Sequence, residues 1–200
     1  MTKYIKITKI LFLYIVISLI IVSCSDVPIP RPKGYLRIAL PKKEYILFDT
    51  LFPYSFEYPV YSKIEPAKNV KKEPYSININ FPRFNATLFI TYKKINKNLD
   101  TLIEDSHLFV NKHIPKATSI NTKVWSNERD KVYGLKFDIE GIGVASPFQF
   151  YLTDSTSHFF RAALYFNQVP NNDSLAPVIQ FLKEDFTYLI ETFKWKHLLK

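Results

Sequence analysis

An apolar run of 13 residues, Ile10 to Val22, ends just ahead of the only cysteine in the chain, Cys24. That juxtaposition separates a part that is addressed from a part that folds. Lys3, Lys6 and Lys9 precede the run with no acidic residue near them. A bilayer core needs about 20 helical residues, so the run is too short for a span and fits a cleavable export leader. Ile21-Val22-Ser23-Cys24 resembles a bacterial lipobox, which implies cleavage between Ser23 and Cys24 and acylation of the Cys24 sulfur. An uncleaved N-terminal anchor that happens to end in cysteine is the alternative. Two or more acyl chains make a stable anchor. Ser25, standing where an aspartate directly after the cysteine would favour inner-membrane retention, points to the outer membrane facing the periplasm, with the outer leaflet of the inner membrane as the alternative.

A lone cysteine spent on lipid leaves no disulfide and no cysteine metal site for the rest of the chain. The residues beyond Cys24 must therefore build a core by packing alone, and their number suffices. The 17 Phe, 13 Tyr and 2 Trp, against only 4 Gly, suit a sheet-rich globule. The formal charge is +9 and falls to +6 once the leader lysines are removed. The remaining lysines are scattered in pairs (Lys42-Lys43, Lys71-Lys72, Lys93-Lys94) and read as a solvated surface. Export argues against nucleic acid as a partner; the membrane, reached through Cys24, is the partner the leader implies.

Three segments follow: a signal peptide over 1–23, a lipidated cysteine and Pro-rich tether over 24–34, and a single domain over 35–200. Val27 to Lys33 alternates prolines, which favours an extended strut of about 3.1 Å per residue. The strut reads as a tether, or as a ligand for a partner. Short strands are expected at Tyr35–Leu40, Tyr45–Phe48 and Ser55–Tyr61, the last an edge because of Pro59. Tyr75–Phe81 and Ala86–Ile95 read as a hairpin through Pro82 to Asn85. Leu99, Leu102, Ile103, Phe109 and Val110 recur at helical spacing between Asn98 and His113, with Asn98 as N-cap and Pro115 as stop. Strands follow at Thr122–Ser126, Lys131–Glu140, Val144–Thr153 and His158–Phe166. The last two are apolar on both faces and require cover on both. A second helix opens near Asn171–Ser174, tolerates Pro177 in its first turn, and carries the stripe Val178, Ile179, Leu182, Phe186, Leu189, Ile190 and Phe193. The expected fold is α+β: a mainly antiparallel sheet with helices on both faces.

Little in the chain carries chemistry. There is no Gly-x-Ser-x-Gly elbow, no His-Glu-x-x-His and no phosphate loop; Gly141-Ile142-Gly143 reads as a turn. His107 and His113 are six apart, off the spacing a metal needs on one helix face, and the helix dipole accounts for His113. Asp154, Ser155 and His158 have the residue types of a triad, but residues so close in one turn rarely converge as nucleophile, base and orienter. No catalytic residue, metal or cofactor is expected. Arg161, inside an apolar strand, reads as an arginine paired with a carboxylate across the sheet or as the mark of a binding pocket. Tyr54, Phe56, Tyr58 and Tyr61 read either as an aromatic partner surface or as edge-strand core.

Several ordered stretches together resemble the gliding motility lipoprotein GldD family. They are Arg-Pro-Lys-Gly-Tyr-Leu-Arg-Ile at 31–38, Tyr-Ser-Phe-Glu-Tyr-Pro-Val-Tyr at 54–61, Phe-Gln-Phe-Tyr-Leu-Thr-Asp-Ser at 148–155 and Arg-Ala-Ala-Leu-Tyr-Phe-Asn at 161–167. A tail from Ser-Leu-Ala-Pro-Val-Ile at 174–179 to Leu-Ile-Glu-Thr-Phe-Lys-Trp at 189–195 extends them. The resemblance implies a cell-envelope lipoprotein needed for gliding and for the linked type IX secretion machinery, with an assembly role, no known reaction, and lipoproteins or membrane proteins of that machinery as partners. An envelope ligand-binding protein or chaperone, with a small-molecule or peptide pocket, is the alternative function. The lipid site carries over to Cys24. The resemblance also places cysteines, in many members, where this chain has Phe52 and Tyr75. The order of elements is similar to the PsbP-like fold.

Overall fold

Alternation along the strands sorts side chains onto two faces, and both faces are covered. The computed structural model describes residues 38–68 and 73–196. The leader, Ser23, Cys24, the Pro-rich tether, the first residues of the strand expected at Tyr35–Leu40, the Lys71-Lys72 pair and His197 lie outside the described residues. Ten strands are described: β1 Tyr45–Phe48, β2 Tyr54–Pro59, β3 Lys63–Pro66, β4 Ile77–Phe81, β5 Ala86–Lys94, β6 Ser119–Asn127, β7 Val132–Glu140, β8 Phe148–Thr153, β9 His158–Phe166 and β10 Lys194–Trp195. Two α-helices accompany them, α1 Leu99–Asn111 and α2 Asn172–Thr192. A seven-stranded sheet runs β3-β4-β5-β9-β8-β7-β6, and a small three-stranded sheet runs β1-β2-β10. Every neighbouring pair is antiparallel, so the fold is α+β as expected.

The β5–β9 register pairs Leu88 with Leu164 and Ile90 with Ala162 on one face, and Phe89 with Ala163 and Thr91 with Arg161 on the other. The first face joins Phe148, Phe150, Leu152 and Phe160 to Leu182, Phe186, Leu189 and Ile190 of α2, with Tyr54 and Phe56 of β2 closing the same core. The second face is smaller: Phe137, Ile139, Tyr151 and Phe159 under Leu102 and Val110 of α1. All six residues of β8 are buried, which a strand between two such layers demands.

Several local expectations are corrected. Residues 38–40 are irregular. β2 is the middle strand of its sheet, not an edge. Pro59 is tolerated because it pairs with Tyr45 on one side while β10 reaches only Tyr54 and Ser55 on the other. β3 carries Lys63, Glu65 and Pro66, a composition that reads as loop but suits a blunted outer strand. β8 begins at Phe148, not Val144, because the chain first turns through Gly141 and Pro147. The Asn172 side chain ties that turn down by donating to the Gly141 and Val144 carbonyls at 2.8 and 2.9 Å. Pro177 lies in the second turn of α2, where it withholds a hydrogen bond from the Asp173 carbonyl. Asn98 makes no side-chain cap; its Oδ1 accepts from the Asn96 N–H.

Candidate functional site

Arg161 occupies the α1 face of β9 because Phe160 and Ala162, its neighbours in sequence, point into the larger core. Its Nη2 donates to Gln149 Oε1 at 2.6 Å, and its guanidinium lies 4.3 Å from the centre of the Phe109 ring. A cavity of about 170 Å³ opens beside it, with Glu73, Thr91, Lys93, Asp105 and Ser106 among its walls. Arg161 Nε and Gln149 Nε2 are both buried and have no hydrogen-bond partner. No carboxylate forms an ion pair with Arg161 among the described residues. The carboxylate expected across the sheet is instead an amide. Burial lowers the Arg161 pKa, partly offset by Tyr165 and Asp105. His113 also titrates below its ordinary value, through burial and then the positive charge of Arg161. That is the reverse of what the helix dipole alone would do.

The four aromatics separate. Tyr54 and Phe56 are fully buried, so neither belongs to a free surface; Tyr58 and Tyr61 are half-buried. The Tyr54 hydroxyl donates to the Tyr75 carbonyl at 2.5 Å, and its ring packs on Phe160 and Phe193. Tyr61 belongs to a cluster that sequence reading missed. Asp185 is fully buried within the apolar stripe of α2 and accepts from the Tyr45 hydroxyl at 2.7 Å and from the Tyr61 hydroxyl. Lys43 completes the cluster, 3.1 Å from Asp185 Oδ1 and 2.8 Å from Glu184. Burial, then Asp185, raises the pKa of both tyrosines. One acid in an otherwise apolar stripe was the available signal, since a buried charge requires partners.

The turn from Asp154 to His158 is a structural device. Asp154 Oδ1 accepts from the backbone N–H groups of Thr156, Ser157 and His158. His158 Nδ1 lies 2.5 Å from the Tyr92 hydroxyl, and the imidazole stacks on Trp195. Its ring is therefore engaged with β5 and β10. His107 packs edge-on against Phe137. No group of three metal-ligating side chains occurs among the described residues.

Residues 25–195 match the protein family described as gliding motility lipoprotein GldD. The chain belongs to that family. The GldD match spans every described strand and both helices. At the two positions where likeness to GldD proteins suggested cysteines, the rings of Phe52 and Tyr75 meet edge-to-face with centroids 5.4 Å apart. Among solved structures, this GldD chain is similar to the solution structure of cyanobacterial PsbP (CyanoP) from Synechocystis sp. PCC 6803. That likeness is 15% identical, covers 80% of this chain and 97% of that one, and has a TM-score of 0.47. No curated protein matches.

Proposed function

We propose that this gliding motility lipoprotein is a non-catalytic assembly component of the gliding apparatus and of the linked type IX secretion machinery. It is held by acyl chains on Cys24 to the outer membrane, facing the periplasm, and docks other lipoproteins or membrane proteins of that machinery. The carrying observation is the family match, which runs from residue 25 to 195 and so begins one residue after the only cysteine. Two of the described histidines support a role without catalysis, because each is engaged by packing or a structural hydrogen bond: His107 on Phe137, and His158 on Tyr92 and Trp195. The second reading, a ligand-binding protein, draws on Arg161 and its cavity.

Deleting the gene is expected to abolish colony spreading and type IX secretion together, scored by spreading assays and by proteomics of the culture medium. Secretion at the parental level in the deletion would refute the reading. A triple Asp154→Ala, Ser155→Ala, His158→Ala protein that folds should restore both phenotypes, whereas a folded triple variant that fails would revive catalysis.

A further inference from the structure

We propose that the outer edge of β6 receives an extended strand from a partner protein, with an acidic side chain of that strand facing Lys123 and apolar side chains on its other face. This docking rests on the reading that the lipoprotein is an assembly component, whichever assembly it serves. β6 ends the seven-stranded sheet. It is nine residues long and has no proline and no glycine. It pairs with β7 along its whole length, and no described segment hydrogen-bonds to its other side. Along such an edge every second residue offers an N–H and a C=O to a further strand. The opposite edge of the same sheet is protected, because β3 has only four residues and ends in Pro66. Residues Asn121 to Val124, in the middle of β6, are all exposed, Val124 by 77%.

The two faces of β6 select the strand. Register places Asn121 opposite Asp138 and Lys123 opposite Lys136 on the face toward α2, where Asp138 meets Lys183. Ile120 and Val124 stand opposite Ile139 and Leu135 on the α1 face. An open groove of about 860 Å³ lies between the first face and α2, with Asn121 and Lys123 on one wall and Gln180 and Thr187 on the other. Its lysines are not alike. Lys43 meets Glu184 and Asp185, and Lys183 meets Asp138, whereas neither Lys123 nor Lys136 forms an ion pair among the described residues. Lys136 lies 5.2 Å from the centre of the Trp125 ring. Glu140 and Glu191 also line the groove, but Glu140 stands opposite Ser119 at the start of β6 and accepts from its hydroxyl, and neither acid pairs with a lysine. Like charges directly opposite one another are destabilising, and a carboxylate on an added strand relieves them. The same lysines exclude a second copy of this chain: antiparallel pairing of two β6 strands over their full length would set Lys123 against its own counterpart, with a Lys136 behind each. An edge that rejects itself and accepts an acidic strand discriminates by charge. On the other face, an apolar residue beside Val124 buries surface that now meets water.

The test uses 15N-labelled mature lipoprotein in detergent micelles and reads the backbone amides of β6 by NMR and hydrogen exchange. The probe is a blocked nonapeptide that alternates threonine and valine about a central glutamate. One control carries lysine at the centre, and another has its valines replaced by proline. The glutamate peptide should give saturable shifts in β6 and slow the exchange of every second β6 amide. The lysine peptide should bind about tenfold or more weakly, and the proline peptide should not bind. Lys123 is exposed, so Lys123→Glu keeps the fold, and it should reverse the preference between the two charged peptides. No saturable shift from the glutamate peptide, equal affinity for both charged peptides, or an unchanged preference in Lys123→Glu would overturn the proposal. So would protection of β6 that grows with protein concentration and needs no peptide, the mark of a second copy. Parental secretion in the gene deletion would remove the assembly reading and leave a peptide-binding edge standing. A silent β6 in a protein whose deletion abolishes spreading and secretion would remove the edge alone.

Discussion

Asp185 shows at the scale of one residue how an apolar stripe accommodates a charge. Two phenols and an ammonium surround its carboxylate, which offsets the cost of taking it out of water. Asp185→Ala removes the acceptor that all three share and should destabilise the domain by about 3 kcal/mol, measured as a lower urea midpoint at unchanged slope. Lys43→Met should cost less, because Lys43 keeps 28% side-chain exposure and also pairs with exposed Glu184. Asp154 gives the pH dependence. Burial is the largest influence and raises its pKa, but the N–H groups of Ser157, His158 and Thr156, with the charge of His158, together bring it below the usual value. A depressed carboxylate contributes stability that is complete above its unfolded pKa, about 3.9, and is lost as pH falls through the folded value. Urea unfolding followed from pH 7 to pH 3 should therefore decline, and Asp154→Asn should decline less over that window. Ser155 follows with a φ of +66°. Ser155→Gly should stabilise by about 0.5–1 kcal/mol, since glycine adopts that conformation without penalty.

Among the elements, β7 is the strand with least room. Trp125 of β6 and Leu152 of β8 are paired to either side of Gly134, and a methyl group on Gly134 would stand 1.9 Å from the Tyr151 carbonyl oxygen. Gly134→Ala should cost about 3 kcal/mol or more, seen in the thermal midpoint and in faster amide exchange in β7 and β8. The two-residue β10 has more weight than its length suggests. Trp195 stacks on His158, meets Phe193 edge-on and donates from its indole to the Lys131 carbonyl at 3.1 Å. It thereby joins the end of α2 to the β6–β7 turn and to β9. Helix periodicity over 178–193 revealed the α2 stripe but not this return, because two residues are too few to show an alternation. The strand expected at Val144–Thr153 was too long by four residues for a related reason: Val144 is buried like the strand that follows, and burial alone does not distinguish a packed turn from a strand.

For the whole molecule, the proposed lipid site, Cys24, and the described core are separate along the chain. The described core starts at β1, with Phe48 its first buried apolar side chain, well after Cys24. Cys24→Ala should accordingly move the protein from the membrane to the soluble fraction on cell fractionation while leaving its thermal midpoint within a degree or two. A large drop in stability would mean that the acylated segment packs on the domain. Lys43, Tyr45 and Asp185 fasten the strand nearest the tether to α2, close to the far end of the chain, so the fold closes on itself without a disulfide.

Alternation and helical spacing are local properties, so what depends on them is legible in the chain itself: β1, β5, β9, both helices and the need to cover β8 and β9 on both faces. The apolar run over 10–22 and the solitary cysteine after it are equally legible, because they are contiguous signals. Which residues meet depends instead on how the sheets are ordered and packed. That packing put Gln149 where a carboxylate was expected against Arg161, turned Tyr54 and Phe56 inward, and gathered Lys43 and Tyr45, Tyr61, and Asp185 from three separate stretches. Pairings across more than a hundred residues follow from sheet order and register, and no local pattern encodes those.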